Sequence, residues 1–495
     1  MSDRKEGILR FFRKFRGREV REKKSGSGGS RETIHLSRPH WKRSLAVLPF
    51  LNEDQGPERD YLCDGLTDEL IEALSSIREL KVSARRSAFA FKGRGISPLE
   101  AGRRLGVSAV LDGNVRLSGD RFRVAARLID VTNGSVLWSG EIDRAPADIP
   151  VVRDEITLAA VKALGVKASE GELSGLTKRL TADREAYDLF LTARHLLNKE
   201  KEGDIRKSIE LFGKALEKDP DYAPGWAGLA EAYLRLLDDP STPPREAYPT
   251  ARAASRKALE LDSGLAEAHC LEAAVRIFSE LDLHGSEEAF QRAIVLKPGY
   301  APAYHWYGRV LFFQARFTQA IEMLRRALEL DPLSPIINRN LGAALFFARD
   351  YNRAEDQLQR TQKMSPDFPY THIMLGWVQL EKGLNDKAVE EFKKETGIAS
   401  WLAEYWIHIS NARRGDRERL WLFHRDYEKR LALFSPFWTA IVYAELGDHW
   451  KVCEWMMNAY EQKDPWFLYI KLMSSLDECR SDPKSVALLK RVGLA

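Results

Sequence analysis

PGYAPAYHWYGRVLFFQARFTQAIEMLRRALELD (residues 298–331) and PLSPIINRNLGAALFFARDYNRAEDQLQRTQKMS (residues 332–365) are two successive lengths of one pattern, and a third begins at Pro366. Pro298, Pro332 and Pro366 stand 34 residues apart, and residue types recur between them. Tyr307, Gly308, Leu311, Ala320 and Leu324 of the first unit correspond to Leu341, Gly342, Leu345, Ala354 and Leu358 of the second. A repeat of this length is one helical hairpin, which cannot bury its apolar face alone and stacks on its neighbours. Gly308 and Ala320 are small where the two helices must cross, so the backbones approach there, with Tyr304, Leu311 and Leu324 filling the surrounding space. The proline ends the second helix, because the residue before it is pushed out of the α region.

The pattern runs outward in both directions. Ser208, Phe212, Ala215 and Pro220 end a first hairpin, and Trp226, Leu229, Ala230 and Tyr233 open a second. The latter's second helix, with Ala251, Ala258 and Leu261, is delayed by Pro240, Pro243, Pro244 and Pro249. Phe290, Ala293 and Pro298 close the third. Leu375, Gly376, Ala388 and Phe392 keep the register in the sixth, with Ser400 where the proline would fall. Further on the pattern degrades, although Gly447, Val452, Met456 and Ala459 still mark a hairpin.

Before the repeats the periodicity changes. Ser44–Phe50 is a short apolar run suited to a buried strand, and Leu62–Leu74 reads as a helix with Leu66, Leu70, Ile71 and Leu74 on one face. Leu80–Ala84 is a second strand and Pro98–Leu105 a second helix. Ala109–Leu117, Phe122–Val131 and Val136–Ile142 read as three strands joined by Ser118-Gly119-Asp120 and Thr132-Asn133-Gly134, both hairpin chemistry. A helix over Ile149–Leu164 closes an α+β domain.

Charge is unevenly placed. Residues 1–43 carry 14 Lys/Arg against 5 Asp/Glu, whereas the remainder carries 62 against 67. Within this tail Ile8, Leu9, Phe11, Phe12 and Phe15 fall on one side of a short helix and Arg10, Arg13 and Lys14 on the other, ahead of the run Ser25-Gly26-Ser27-Gly28-Gly29-Ser30. Such a segment is a solvated tail, a contact for anionic lipid, or a contact for nucleic-acid phosphate. Cys63, Cys270, Cys453 and Cys479 are widely spaced, which argues against a disulfide framework or a zinc ribbon and for a reducing compartment. No apolar run approaches the ~20 residues a membrane span needs, so the expected location is the cytoplasm.

Two families are recognisable. The 34-residue units resemble tetratricopeptide (TPR) repeats, in about eight units over residues 186–462. Residues 44–165 resemble the TolB-like domain found ahead of TPR arrays in bacterial regulatory and cyclase-associated proteins. The matching stretches are Ala46-Val47-Leu48-Pro49-Phe50, Asp64-Gly65-Leu66-Thr67-Asp68-Glu69-Leu70, Ser87 to Gly93, Leu111 to Arg116, and Leu128-Ile129-Asp130-Val131 to Leu137-Trp138. The resemblance implies an α+β N-terminal domain followed by an all-α solenoid, a right-handed superhelix of helical hairpins. The expected organisation is a basic tail over 1–43, the TolB-like domain over 44–165, a linker over 166–185, the array over 186–462 and a capping segment over 463–495. Relatives often place a winged-helix or nucleotide-cyclase domain in front, which 43 residues cannot hold.

No phosphate-binding, dinucleotide, zinc-protease or serine-nucleophile motif occurs, so neither an enzyme, a cofactor nor a metal is expected. Asp64 and Asp68 share a helix face and imitate a carboxylate pair, but are expected to complement the helix dipole in its first turn. Arg85, Arg86 and Lys92, interleaved with Phe89 and Phe91, are expected to form a solvated edge over two core aromatics. In TPR proteins the first helices line a concave groove. Their register places Ile277, Phe278, His305, Arg309, Phe312, Phe313, Arg339, Phe346, Phe347, Ile373 and Trp377 on that face. Adjacent aromatics and two arginines suit a peptide or amphipathic helix carrying acidic groups, the alternative being that these rings pack only against neighbouring hairpins. The expected function is a protein-binding adaptor or scaffold. The alternative is a signalling or transcription-linked regulator whose basic tail touches DNA or membrane.

Overall fold

The computed structural model describes residues 41–53, 60–118, 121–145, 148–176, 181–199, 201–237, 242, 244–481 and 483–494. The basic-tail helix and the Ser118-Gly119-Asp120 turn fall outside them, Ser118 excepted. The chain begins with β1 (Arg43–Val47), β2 (Leu51–Asn52), α1 (Asp60–Ser75), β3 (Leu80–Val82), α2 (Arg85–Phe89) and α3 (Pro98–Leu105). Three long strands follow, β4 (Ala109–Ser118), β5 (Arg121–Asp130) and β6 (Val136–Arg144), and then α4 (Ile149–Leu164). They build one sheet in the order β3-β1-β4-β5-β6, with β2 beside β4. Its β3-β1-β4 half is parallel, pairing Leu45 with Val82 and with Ala109, and its β4-β5-β6 half is an antiparallel meander.

Burial explains the two halves. Leu45, Ala46 and Val47 are all inaccessible because both faces of β1 are covered. On one side α1 and α4 pack on the sheet and on each other; on the other, Ala101 and Leu105 of α3 cluster with Ala46, Leu48, Val110 and Val131. A Cβ on Gly102 would stand 2.5 Å from a Val131 methyl, so α3 lies tight on the sheet. The outer hairpin is one-sided: Phe122, Val124 and Leu128 point inward while Arg121, Arg123 and Arg127 face solvent beside Asp143 and Asp112. Gly134 takes φ +77° in the β5–β6 turn, as its Asn-Gly pair requires.

After the short α5 (Glu170–Leu176) the described chain is helical, in eight hairpins. These are α6/α7 (Arg184–Leu197, Glu202–Lys218), α8/α9 (Ala223–Leu236, Pro244–Leu261), α10/α11 (Ala266–Glu280, Leu283–Leu296) and α12/α13 (Ala301–Phe313, Phe317–Leu330). The rest are α14/α15 (Pro335–Phe347, Tyr351–Met364), α16/α17 (Thr371–Glu381, Asn385–Lys394), α18/α19 (Ser400–Arg413, Arg417–Phe434) and α20/α21 (Pro436–Leu446, His449–Glu461). A 3₁₀ segment, Pro465–Lys471, then leads to α22 (Asp477–Ser481) and α23 (Pro483–Arg491). The small residues do what their spacing implies. Cβ atoms built at Gly308, Gly342 and Gly376 would come within 2.9 Å of Leu324, 2.7 Å of Leu358 and 2.2 Å of Phe392, each on the partner helix.

A second 34-residue beat lies in the turn between the helices of a hairpin. Leu281, Ala315, Arg349 and Gly383 all take positive φ, at 56°, 60°, 62° and 75°. Only the last has no Cβ to strain. Ala315→Gly and Arg349→Gly are therefore expected to stabilise the chain by about 0.5–1 kcal/mol each, read as a rise in the urea midpoint.

The α/β domain is not strung ahead of the array but docked on it. Helix α1 packs against α6, with Leu191 filling the space over Gly65. Ala84 N–H donates to the Leu330 carbonyl (2.8 Å), Leu333 N–H to Ser87 Oγ (2.9 Å), and Ser87 Oγ to Asp331 Oδ1 (2.5 Å). Lys297 Nζ pairs with Glu72 of α1 and, at 2.8 Å, with Glu267 of α10. Gly299 lies where a Cβ would be 2.8 Å from the Ser75 carbonyl oxygen.

Candidate functional site

The paired carboxylates serve that docking. Helix α1 starts at Asp60, so Asp64 and Asp68 lie one and two turns inside it and do not cap its dipole. Asp64 is held by Lys92 Nζ (2.6 Å) and His195 Nδ1 (3.1 Å), and Asp68 by Arg85 Nε (2.6 Å) and Asn198 Nδ2 (3.3 Å). Burial pushes Asp68 above the ordinary carboxylate range even against Arg85. Asp64, opposed by burial but hydrogen-bonded by His195 and Lys92, is held below it. Arg85 is half-buried in its ion pair with Asp68, a correction to the solvated edge expected for it, whereas Arg86 and Lys92 are exposed as expected, Lys92 while pairing with Asp64; Phe89 and Phe91 are half-buried rather than core. Among the described residues no three His, Cys, Asp or Glu side chains are grouped to hold a metal ion, and no helix is long and apolar enough to cross a membrane. None of the four cysteines is in a disulfide.

The residues expected to line a groove lie on successive first helices. Ile277 and Phe278 come from α10, His305, Arg309, Phe312 and Phe313 from α12, Arg339, Phe346 and Phe347 from α14, and Ile373 and Trp377 from α16. They join through ring contacts rather than as isolated patches. Phe312 meets Phe347 at 5.4 Å, Phe346 and Phe347 meet Trp377 at 6.0 and 6.3 Å, and Trp377 meets Trp406 at 5.1 Å. Ile277, His305, Phe312, Phe313, Ile373 and Trp377 are buried, whereas Phe278, Arg309, Arg339, Phe346 and Phe347 are half-buried. The residues expected to line a groove thus separate into buried and partly accessible side chains.

Several participants were not among the expected residues. Trp306 lies against Phe278 at 5.5 Å, and Trp406 and Trp438 extend the aromatic run. The 3₁₀ segment crosses to this face: Tyr469 contacts Phe312 (5.8 Å) and Phe313 (5.3 Å), and Trp466 contacts Tyr370 (5.5 Å) and Trp438 (5.1 Å). It is pinned by Asp464, whose carboxylate accepts from Ser435 Oγ (2.6 Å), Phe437 N–H (3.0 Å) and Trp466 N–H (3.0 Å). Register could have found Trp306, Trp406 and Trp438. Nothing periodic points to Tyr469.

Arginine supplies the charge on this face. Arg309 lies over Trp306 (4.6 Å from guanidinium carbon to ring centre), Phe313 (5.4 Å) and Phe278 (5.7 Å). Arg339 lies over Phe368 (5.2 Å) and Tyr370 (5.7 Å), and donates to the Pro369 carbonyl at 3.0 Å. Burial pushes Arg309 down to about 10, and Arg339 also falls by burial; both remain charged at neutral pH. Burial, with Arg309, Arg339 and Arg86 nearby, drives His305 well below its usual range, so its ring is neutral, with Nε2 2.7 Å from Asn340 Nδ2.

Comparison with known proteins divides the chain in the same way. Residues 41–157 match the family described as HilA/YgeH-like transcriptional regulator, second domain, and residues 301–344 and 339–400 match two tetratricopeptide repeat families. "Putative adenylate cyclase 3" of Rhizobium meliloti (strain 1021) is 39% identical over 189 residues, which are 38% of this chain and 32% of that protein. The Transcriptional regulator HilA of Salmonella typhimurium (strain LT2) is 25% identical over 144 residues, 29% of this chain and 26% of its own. The chain thus spans about a third or less of the length of these relatives. Among solved structures, YrrB, titled a TPR protein with an unusual peptide-binding site, aligns over 37% of this chain and 89% of its own at 22% identity and a TM-score of 0.29. Pseudomonas aeruginosa pilF aligns over 49% and 96% at 17% identity and a TM-score of 0.33. A small α/β region precedes a long array of helical hairpins, and that array carries tetratricopeptide repeats.

Proposed function

We propose that this protein is a non-enzymatic cytoplasmic adaptor that receives a peptide or helix of a partner protein on the inner face of the array, between α10 and α16. One observation carries the reading: Phe278, Trp306, Arg309, Arg339, Phe346 and Phe347 are half-buried and follow one another along successive first helices. Large rings with accessible faces beside arginine are the composition of interface hot spots. The α/β domain, TolB-like in this reading, packs along the array from α6 to the α13–α14 turn and holds the scaffold in one geometry. Phe346→Ala with Phe347→Ala tests the groove better than variants at Phe312 or Trp377, whose burial would confound binding with stability. Capture of a cytosolic partner by the full chain, identified by crosslinking and mass spectrometry, is expected to fall at least tenfold in the double variant while its melting temperature stays within a few degrees. Undiminished capture would remove the groove from consideration.

The likeness of residues 41–157 to a domain of transcriptional regulators favours a second reading. Here the protein is a signalling or transcription-linked regulator in which the basic residues 1–43 contact DNA or anionic lipid. Deleting residues 1–43 separates the two readings: capture survives the deletion in the adaptor, whereas DNA or vesicle binding disappears with the tail in the regulator.

A further inference from the structure

Arg309 and Arg339, half-buried, lack the carboxylate partners that Lys297 and Arg153 have. Lys297, buried in the domain interface, has Glu72 and Glu267, and Arg153, buried between α1 and α4, has Glu69 and Asp154. Arg309, among the described residues, touches three aromatic rings and has no hydrogen-bond or ion-pair partner. Arg339 spends its donors on the Pro369 carbonyl and the Asn340 amide oxygen, and its buried Nε has no protein acceptor. Glu395, the acidic group nearest in effect to Arg339, is committed to the backbone N–H groups of Tyr370, His372 and Ile373. Farther along the same aromatic run the indole N–H groups of Trp377, Trp406 and Trp438 are likewise buried without an acceptor. The half-exposed guanidinium groups of Arg309 and Arg339 therefore offer this face positive charge in excess of the acceptors the chain brings to it. A native protein rarely leaves such groups unmatched without a functional reason.

We propose that this stretch of the groove recognises an acidic side chain in the partner segment, a carboxylate that engages Arg309 and Arg339 while a neighbouring aromatic residue packs on Phe346 and Phe347. The inference rests on the groove reading and adds the chemistry of its ligand. Charge complementarity selects an aspartate or glutamate. Trp466 and Tyr469 of the chain's own 3₁₀ segment show that the inner face accepts aromatic residues of an irregular segment. A guanidinium flanked by rings is weakly hydrated and presents a planar fork, so it suits a carboxylate better than an ammonium would.

The test is selection of capped peptides from a random library on the intact chain, on Arg309→Met and on Phe346→Ala. Wild type is expected to enrich sequences pairing an acidic residue with an aromatic one. A glutamate-to-glutamine change in a selected peptide should weaken its binding about tenfold to wild type and less than twofold to Arg309→Met. Because Arg309→Met removes an uncompensated charge, that variant should melt about 1–3 °C above wild type, which separates a site for a ligand from a structural arginine. Selected peptides that need Phe346 but show no acidic preference would overturn the anion site and leave the groove standing. Peptides indifferent to Phe346→Ala, or no enrichment, would overturn the groove reading itself. A melting temperature lowered by Arg309→Met would make Arg309 structural and overturn the proposal.

Discussion

Lys297→Met is expected to destabilise the folded chain by about 2–3 kcal/mol at neutral pH, a reduced value for a buried ion pair because Glu72 keeps some solvent exposure. Lys297 Nζ sits between Glu72 of the α/β domain and Glu267 of the array, so methionine leaves two carboxylates facing each other. The pH dependence has a definite sign. Burial opposes ionisation of Glu72, but Lys297 outweighs it and holds the group at about 2, below its unfolded value of 4.5. That contribution is fully present above pH 4.5 and fades as pH falls towards 2. Burial raises Glu267, so its ionisation costs stability above pH 4.5 and costs nothing once it is protonated. Both effects make the difference between wild type and variant shrink in acid. Urea unfolding at pH 7 and pH 4 measures it; an unchanged midpoint at pH 7 would mean that this ion pair does not hold the two parts together.

Gly376→Val should cost about 3 kcal/mol or more, because a Cβ there would overlap the Phe392 ring. The unadjusted distance is 2.2 Å, and Phe392 is 1% exposed, so the ring has nowhere to retreat. The damage should stay near α16 and α17, since each hairpin of a solenoid rests chiefly on its immediate neighbours. Hydrogen exchange should therefore rise across residues 371–394 and little in the α/β sheet. Even loss of protection throughout the chain would mean that the array unfolds as one unit.

These two sites differ in how far the sequence discloses them. Gly376 belongs to a beat shared with Gly308 and Gly342, and the reason for the beat, helices crossing at small residues, is local to each hairpin. Helices α3 and α4 were legible to their end residues for a similar reason: Ser97 caps Pro98–Leu105, and Gly106 and Gly165 stop α3 and α4 in the left-handed conformation. The role of Lys297 was not legible. Its partners lie 225 and 30 residues away, and an isolated lysine before a proline carries no pattern. Helix α2 escaped because five residues do not make a period, although Ser87 within it anchors the docking. Asp64 and Asp68 showed as a pair on one helix face, but their partners His195 and Asn198 are about 130 residues distant, so the interface they serve could not be inferred. Repeat register placed Arg309, Phe346 and Trp377 on first helices, which are α12, α14 and α16. It could not reveal that Tyr469, beyond the last hairpin, closes over Phe312 and Phe313.

In the proposed adaptor, docking of the α/β domain leaves a partner only the part of the array that the domain does not contact. The most direct test is native-state hydrogen exchange at the amides of Ala84 and Leu333, which bond across the junction to Leu330 and Ser87. If the two parts are one unit, these amides exchange as slowly as those of β1 and β4. Exchange at the rate of an exposed amide, with β1, β4 and α12 still protected, would contradict docking and return the whole inner face to partner binding.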